Sequence, residues 1–101
     1  MARFVPVSGP VDRRSAIDAL SGEGLRVTEW TDDPSTTYPE HQHAGREARI
    51  VLTGRMTIVA SGRSYELGPG DRIDLDPLEI HRGVVGAEGV SYLAGSDGGG
   101  S

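Results

Sequence analysis

Short runs of β-branched and aliphatic residues, each closed by a glycine-bearing turn, fill this chain from Leu25 to Ala94. Residues 25–31, 48–53, 56–60, 64–67, 72–75, 81–85 and 90–94 read as strands, and residues 3–7 suit an edge strand that tolerates Pro6. Turns are expected at Gly54-Arg55, Ser61-Gly62-Arg63, Gly68 to Asp71 and Gly86 to Gly89. Gly54-Arg55 has the form of a tight hairpin that sends Met56 to Ala60 back along residues 48–53. Many short strands with glycine-rich turns leave an all-β class, an antiparallel sandwich or barrel. Only residues 12–20 have helical character, with Ile17 and Leu20 three apart and Asp12 or Ser15 as caps; one or two turns at most are expected. The resulting division is an N-terminal strand and short helical or turn segment (1–24), a barrel (25–94) and a flexible tail (95–101).

The strand at 25–31 alternates, with Leu25, Val27, Glu29 and Thr31 on one face and Arg26, Thr28 and Trp30 on the other. A tryptophan on the more polar face calls for cover from the N-terminal segment or from another subunit, or else lines a pocket. Residues 32–39 are loop and turn material that leads into the histidines.

His41, His43 and Glu47 fall within seven residues, immediately before the apolar run that ends at Gly54. Two imidazoles one residue apart share a face on an extended strand, and the glutamate follows at an even spacing. The three make a first-row metal site that lacks one ligand, and His81, the only other histidine, supplies it. Three nitrogen ligands and one oxygen suit a divalent Fe, Mn, Ni, Co, Zn or Cu ion, with no preference among them.

Counting along the strand from Glu47 puts Arg49, Val51 and Thr53 on the metal side, and counting back from His81 puts Ile73 and Leu75 inward. Arg49 is a candidate substrate anchor, because a buried guanidinium needs a carboxylate from the protein or from a ligand. Tyr38 and Tyr92 are weaker candidates for a phenol at the mouth of the site. Asp74, Asp76 and Glu79 fall near a turn, where solvated carboxylates are expected, so no acid or base outside the metal shell stands out.

Composition narrows the chemistry. The 101 residues contain no cysteine and no lysine, which excludes thiol and Schiff-base catalysis. A formal charge of −5 without a basic cluster argues against nucleic acid, and no apolar run is long enough to span a membrane. Cytoplasmic location is the default expectation. Ile50 and Leu52 point away from the metal side, and a small core leaves that face needing cover, so a homodimer that packs those faces or shares the N-terminal strand is expected.

The arrangement His41, His43, Glu47 and Gly54 resembles the first signature of the cupin family of small β-barrels. Gly70, Pro77 and His81 resemble the second, although the usual glycine between the proline and the histidine is missing and Val85 stands at the usual asparagine. The resemblance covers about residues 25–94 and implies a small antiparallel cupin β-barrel, a double-stranded β-helix of jelly-roll type, with the metal inside. It implies a small-molecule ligand or substrate but no single reaction. The leading expectation is a metal-dependent enzyme, a dioxygenase acting on a small dicarbonyl or enol compound. A metal-dependent isomerase or lyase, a non-catalytic binding or sensing domain, and a purely structural metal site are the alternatives.

Overall fold

A computed structural model describes residues 1–7 and 9–97. The elements in chain order are β1 (Arg3–Val5), α1 (Arg13–Gly22), β2 (Arg26–Asp32), β3 (Thr37–His41), β4 (Glu47–Ala60), β5 (Arg63–Leu67), β6 (Arg72–Leu75) and β7 (His81–Ser96). All strand pairs are antiparallel, in the order β1-β6-β4-β7-β2, with β3 added to β7 and β5 added to β4. The antiparallel barrel expected from the sequence is what forms.

The hairpin expected at Gly54-Arg55 does not form. β4 runs through it as a single strand of 14 residues, and β7 likewise runs through the turn expected at Gly86 to Gly89. The two pair with each other from Glu47↔Ser96 to Ala60↔His81, with register shifts between Val51 and Thr53 and between Gly54 and Met56. Gly54 has φ +77, and a Cβ on it would lie 2.0 Å from the Gly89 carbonyl oxygen. The glycine is therefore a bulge that bends β4 against β7 rather than reversing it.

The bend lets one pair of strands serve both halves of the barrel. Residues 47–50 of β4 pair with β6 and the end of β7, whereas residues 56–60 pair with β5 and the start of β7. Val51, Met56, Ile58, Leu67, Ile73, Leu75 and Val85 fill the interior between the halves. Ile73 and Leu75 point inward as alternation requires, but Thr53 is exposed, because the shift between Val51 and Thr53 turns it outward.

α1 spans ten residues, longer than the one or two turns expected. Asp12 caps it by accepting from the Ser15 backbone N–H at 3.0 Å. Ala16 and Leu20 bury themselves against Leu25, Ala48, Ile50 and Leu93 on the outer face of the sheet, and this packing sustains a helix too short to stand alone. The face of β4 assigned to a partner subunit is thus covered within the chain at Ile50, with Leu52 at the margin.

Glu23, at the end of α1, is clamped by Arg72 through two bonds of 2.8 Å and by Arg46 at 3.2 Å; both arginines also reach Asp74. The Arg72 guanidinium, followed by Arg46, holds the Glu23 carboxyl down at about 2, against an ordinary value of 4.5. Its folded value is depressed, so its contribution is complete above 4.5 and is lost as pH falls toward 2. Glu23 is more than a third exposed, which limits the contribution to about 0.5–1 kcal/mol. E23Q is expected to melt a few degrees below the parent at pH 7. The two melting curves should converge as pH falls from 4.5 toward 2, and a gap that persists there would reject the clamp.

β7 continues through Gly95 and Ser96, two residues into the expected tail, and the Asp97 N–H then donates to the Arg46 carbonyl at 2.9 Å. The final stretch 98–101 lies outside the described residues. Among the described residues, no helix is long and apolar enough to cross a membrane.

Candidate metal centre

His41 ends β3 and His81 opens β7, where the two are paired across the strands. β3 occupies part of the segment read as loop, with Tyr38 paired to Gly83. His43 lies beyond the strand in the link to β4, and Glu47 is the first residue of β4. That link is tied down on both sides: the Leu78 N–H donates to the His43 carbonyl at 2.7 Å, and Asp97 bonds Arg46. Gly45 passes so close to Asp97 that a Cβ would lie 2.0 Å from its carbonyl oxygen.

These constraints bring the three histidines together, with one ring nitrogen of each within 4.8 Å of the others. His41 Nδ1 lies 2.7 Å from the Pro39 carbonyl and His81 Nδ1 lies 2.9 Å from the Glu79 carbonyl. A carbonyl only accepts, so each Nδ1 carries the hydrogen and each Nε2 keeps a free lone pair. Burial, reinforced by the nearby Arg49 and His41, pushes the His81 imidazole below its ordinary value and favours the neutral, ligating form. The buried Nε2 atoms of His43 and His81 have no hydrogen-bond partner among the described residues. A lone pair desolvated as on His81 Nε2 costs free energy unless something electron-poor meets it, and three converging imidazoles offer such nitrogens, so the donor set fits a metal ion.

Glu47 stands slightly apart from the triad. Its Oε2 lies 3.8 Å from His43 Nε2 and its Oε1 4.0 Å from His81 Nε2, while Oε1 also accepts from Arg49 Nε at 3.1 Å. Arg49 is fully buried, with its guanidinium carbon 5.3 Å from the Tyr92 ring centre and 5.7 Å from that of Tyr38. Its NH1 has no partner among the described residues. Of the two outcomes open to this side chain, it meets a protein carboxylate at Nε and keeps a donor to spare.

The Tyr38 hydroxyl donates to Asp32, and burial followed by that bond pushes the phenol up. Burial also raises Tyr92, so neither phenol is a base near neutral pH. Of the three carboxylates expected to be solvated, Asp76 is so, with 40% of its side chain exposed, whereas the side chains of Asp74 and Glu79 are buried. Asp74 joins the arginine clamp, Asp76 binds the N-terminal amine, and Glu79 accepts from Ser61 Oγ at 2.7 Å and the Asp76 N–H at 3.0 Å.

A cavity of about 230 Å³ opens beside the histidines, lined by Thr28, Trp30, His41, His43, Glu47, Arg49, Tyr92, Ala94 and Ser96. Of the two roles expected for Trp30, packing and lining a pocket, the structure has the second: it stands in this wall, half exposed. The signal was present in the alternation of residues 25–31: the helix takes the odd-numbered face, which leaves Arg26, Thr28 and Trp30 to the cavity side. Ser96 was missed because its glycine-rich surroundings read as tail. A second, larger cleft of about 590 Å³ lies by the Asp76–Ile80 turn, away from Arg49 and Trp30.

Known structures share this architecture. A cupin superfamily protein from Desulfitobacterium hafniense superposes over 95% of this chain and 76% of its own, with a TM-score of 0.66 at 14% identity. The dimethylsulfoniopropionate (DMSP) lyase DddQ from Ruegeria pomeroyi gives a TM-score of 0.63 at 24% identity over 72% of this chain and 36% of that one. Salicylate 1,2-dioxygenase from Pseudoaminobacter salicylatoxidans gives 0.64 at 19% identity over 72% of this chain and 20% of that one. At such identities the likeness is one of fold. No curated protein sequence matches the chain. The family description "Cupin domain" matches residues 28–93, the span from the cavity wall of β2 to the end of the β7 core. With that match over most of its length, and with the barrel and histidine triad in place, the chain belongs to the cupin family.

Proposed function

We propose that His41, His43, His81 and Glu47 hold one divalent transition-metal ion and that the protein is a metal-dependent enzyme acting on a small organic anion. The observation that carries this reading is a pair of unmet needs in one place. The Nε2 atoms of His43 and His81, the latter a free lone pair, have no partner among the described residues, and neither does NH1 of Arg49. When bound, the ion would supply Lewis-acid polarisation of an oxygen ligand. Glu47 would keep its Oε1 contact with Arg49, and Arg49 would hold the substrate carboxylate through NH1. A divalent ion and Arg49 together outweigh the single negative charge of Glu47, so the cavity favours an anion.

Outside the ligand set, no lining side chain is poised as a base near neutral pH. This favours reactions that depend on polarisation at the metal, oxygenation or enolisation of a small dicarbonyl or enol acid, over those needing a separate general base. Fold relatives include a dioxygenase and a lyase, in keeping with either course. The test is metal-loaded protein assayed for dioxygen uptake and for turnover of a panel of such acids. No uptake and no turnover would sink the enzyme reading. A purely structural metal site would be favoured by the close packing of Val51, Met56, Ile58 and Leu75 in the barrel interior, but the cavity of about 230 Å³ beside the histidines makes a non-catalytic binding domain the second reading. Retained affinity without turnover would select it.

R49M is expected to keep its metal and to lose about ten- to a hundredfold in kcat/KM or affinity for an anionic ligand. That range corresponds to a charge-assisted hydrogen bond of about 1.5–3 kcal/mol. Unchanged affinity in R49M would reject the anchor.

A homodimer is also proposed, and of the two arrangements expected it is the one along the N-terminal strand β1, since Ile50 is covered within the chain. β1 ends the strand order, and Val5 and Val7 beside it are exposed. Light scattering at micromolar concentration should give the dimer mass, and a monomer would reject it.

A further inference from the structure

We propose that Trp30 is the specificity wall of the metal cavity, selecting a small carboxylate with a flat, unsaturated body whose face lies against the indole. This rests on the anionic-substrate reading above and adds the shape of the substrate to its charge.

Three cross-strand rungs build one wall of the cavity. Val51 pairs with Tyr92 and Tyr92 with Trp30; Arg49 pairs with Ala94 and Ala94 with Thr28; Glu47 pairs with Ser96 and Ser96 with Arg26. Side chains on paired residues project from the same face. The middle of this face carries only Thr28, Ala94 and Ser96, so the open volume lies there, with Arg49 on one side and Trp30 on the other. A carboxylate on Arg49 NH1 would therefore extend its body across Ala94 and Thr28 toward the indole.

The strand cannot turn the indole away. On the opposite face of β2, Glu29 accepts from Arg13 Nε of α1 at 2.6 Å, Thr31 and Ser91 hydroxyls lie 3.0 Å apart, and Val27 packs against the helix cluster. Trp30 is nevertheless 50% exposed, and among the described residues no other aromatic ring contacts it. The only tryptophan of the chain thus stands on a strand whose other face is fastened, half exposed in the wall of a cavity that also holds a buried arginine donor without a partner among the described residues. An indole in such a wall favours a planar π-system over a saturated ring of equal size.

The test uses zinc-loaded protein titrated calorimetrically with benzoate and with cyclohexanecarboxylate, two acids alike in charge and size but not in flatness. Emission from Trp30 is followed in parallel. The expected result is about three- to tenfold tighter binding of benzoate, a change in Trp30 emission on binding, loss of the preference in W30A and its return in W30F. Equal affinity for the two acids, still dependent on Arg49, would overturn the wall while leaving the anion reading intact. Binding of neither acid would overturn both. Emission that follows protein dilution and ignores benzoate would show the indole packed on a second copy and would also overturn the proposal. The comparison of the two acids on the parent protein holds even if W30A fails to fold.

Discussion

Alanine at His81 is expected to abolish stoichiometric metal binding and, with it, most of the thermal stabilisation that a divalent ion confers. An ion present at a hundred times its dissociation constant stabilises the folded state by about 2.7 kcal/mol. In a domain of this size each kcal/mol moves the melting temperature by about 4–8 °C, so the parent should gain about 10–20 °C on metal addition and lose it to a chelator. H81A should show neither change. The imidazole is almost fully buried, so its removal also costs the metal-free protein something, and the informative quantity is the metal-induced difference within each variant. Elemental analysis supplies the second readout. One ion per chain retained in H81A would place the ion elsewhere and overturn the site. E47Q separates the triad from the carboxylate: if the triad alone sufficed, this variant would bind metal as the parent does, whereas participation of Glu47 predicts a clear weakening.

The candidate metal site was legible because histidine is rare in this chain, with three in all, and the spacing of His41, His43 and Glu47 matters more than their surroundings. Strand alternation grouped His41, His43 and Glu47 correctly but for a reason the fold does not use, since His41 ends β3, Glu47 opens β4 and His43 sits in the link between them. His81 followed because no other histidine remained. The Asp76-Pro77-Leu78-Glu79 turn that presents it was located, but its fastening was not. That fastening runs from the Leu78 N–H to the His43 carbonyl, a contact between segments 35 residues apart that no local pattern encodes.

What was misread shares one cause: local signals carry two meanings that only tertiary pairing separates. Glycine followed by arginine between two apolar runs has the composition of a hairpin, and Gly54 does adopt the left-handed backbone that a hairpin would use. The long partner β7, bent at Gly89 on the same level, converts the turn into a bulge. Helix α1 has weak intrinsic signals and forms because the outer face of β4 and β7 offers Ile50 and Leu93 for burial. The same burial removed the reason given for a partner subunit. Trp30 looked misplaced on a polar face only because the cavity that gives that face its purpose arises from residues on three other segments.

The bend at Gly54 predicts the largest effect on folding. In G54A the new Cβ would sit 2.0 Å from the Gly89 carbonyl oxygen, 2.8 Å from the Gly89 carbonyl carbon and 2.9 Å from the Val90 Cα, all backbone atoms that cannot swing aside. A left-handed φ adds about 1–2 kcal/mol for a residue with a side chain. The combined loss is expected to be on the order of 4 kcal/mol or more, a large share of the stability of a small domain. Gly62 provides the control, since its φ of +75 is nearly the same but nothing lies within 4 Å of its Cβ position. G62A should therefore lose only the backbone contribution, and chemical denaturation should separate the two variants several-fold. Equal losses would mean that the close approach of β4 to β7 contributes nothing. The two halves of β4 carry Glu47 at one end and Ala60, the strand partner of His81, at the other. Any G54A protein that does fold should then bind metal more weakly than the parent, because the bend sets the separation between the carboxylate and the imidazole it faces.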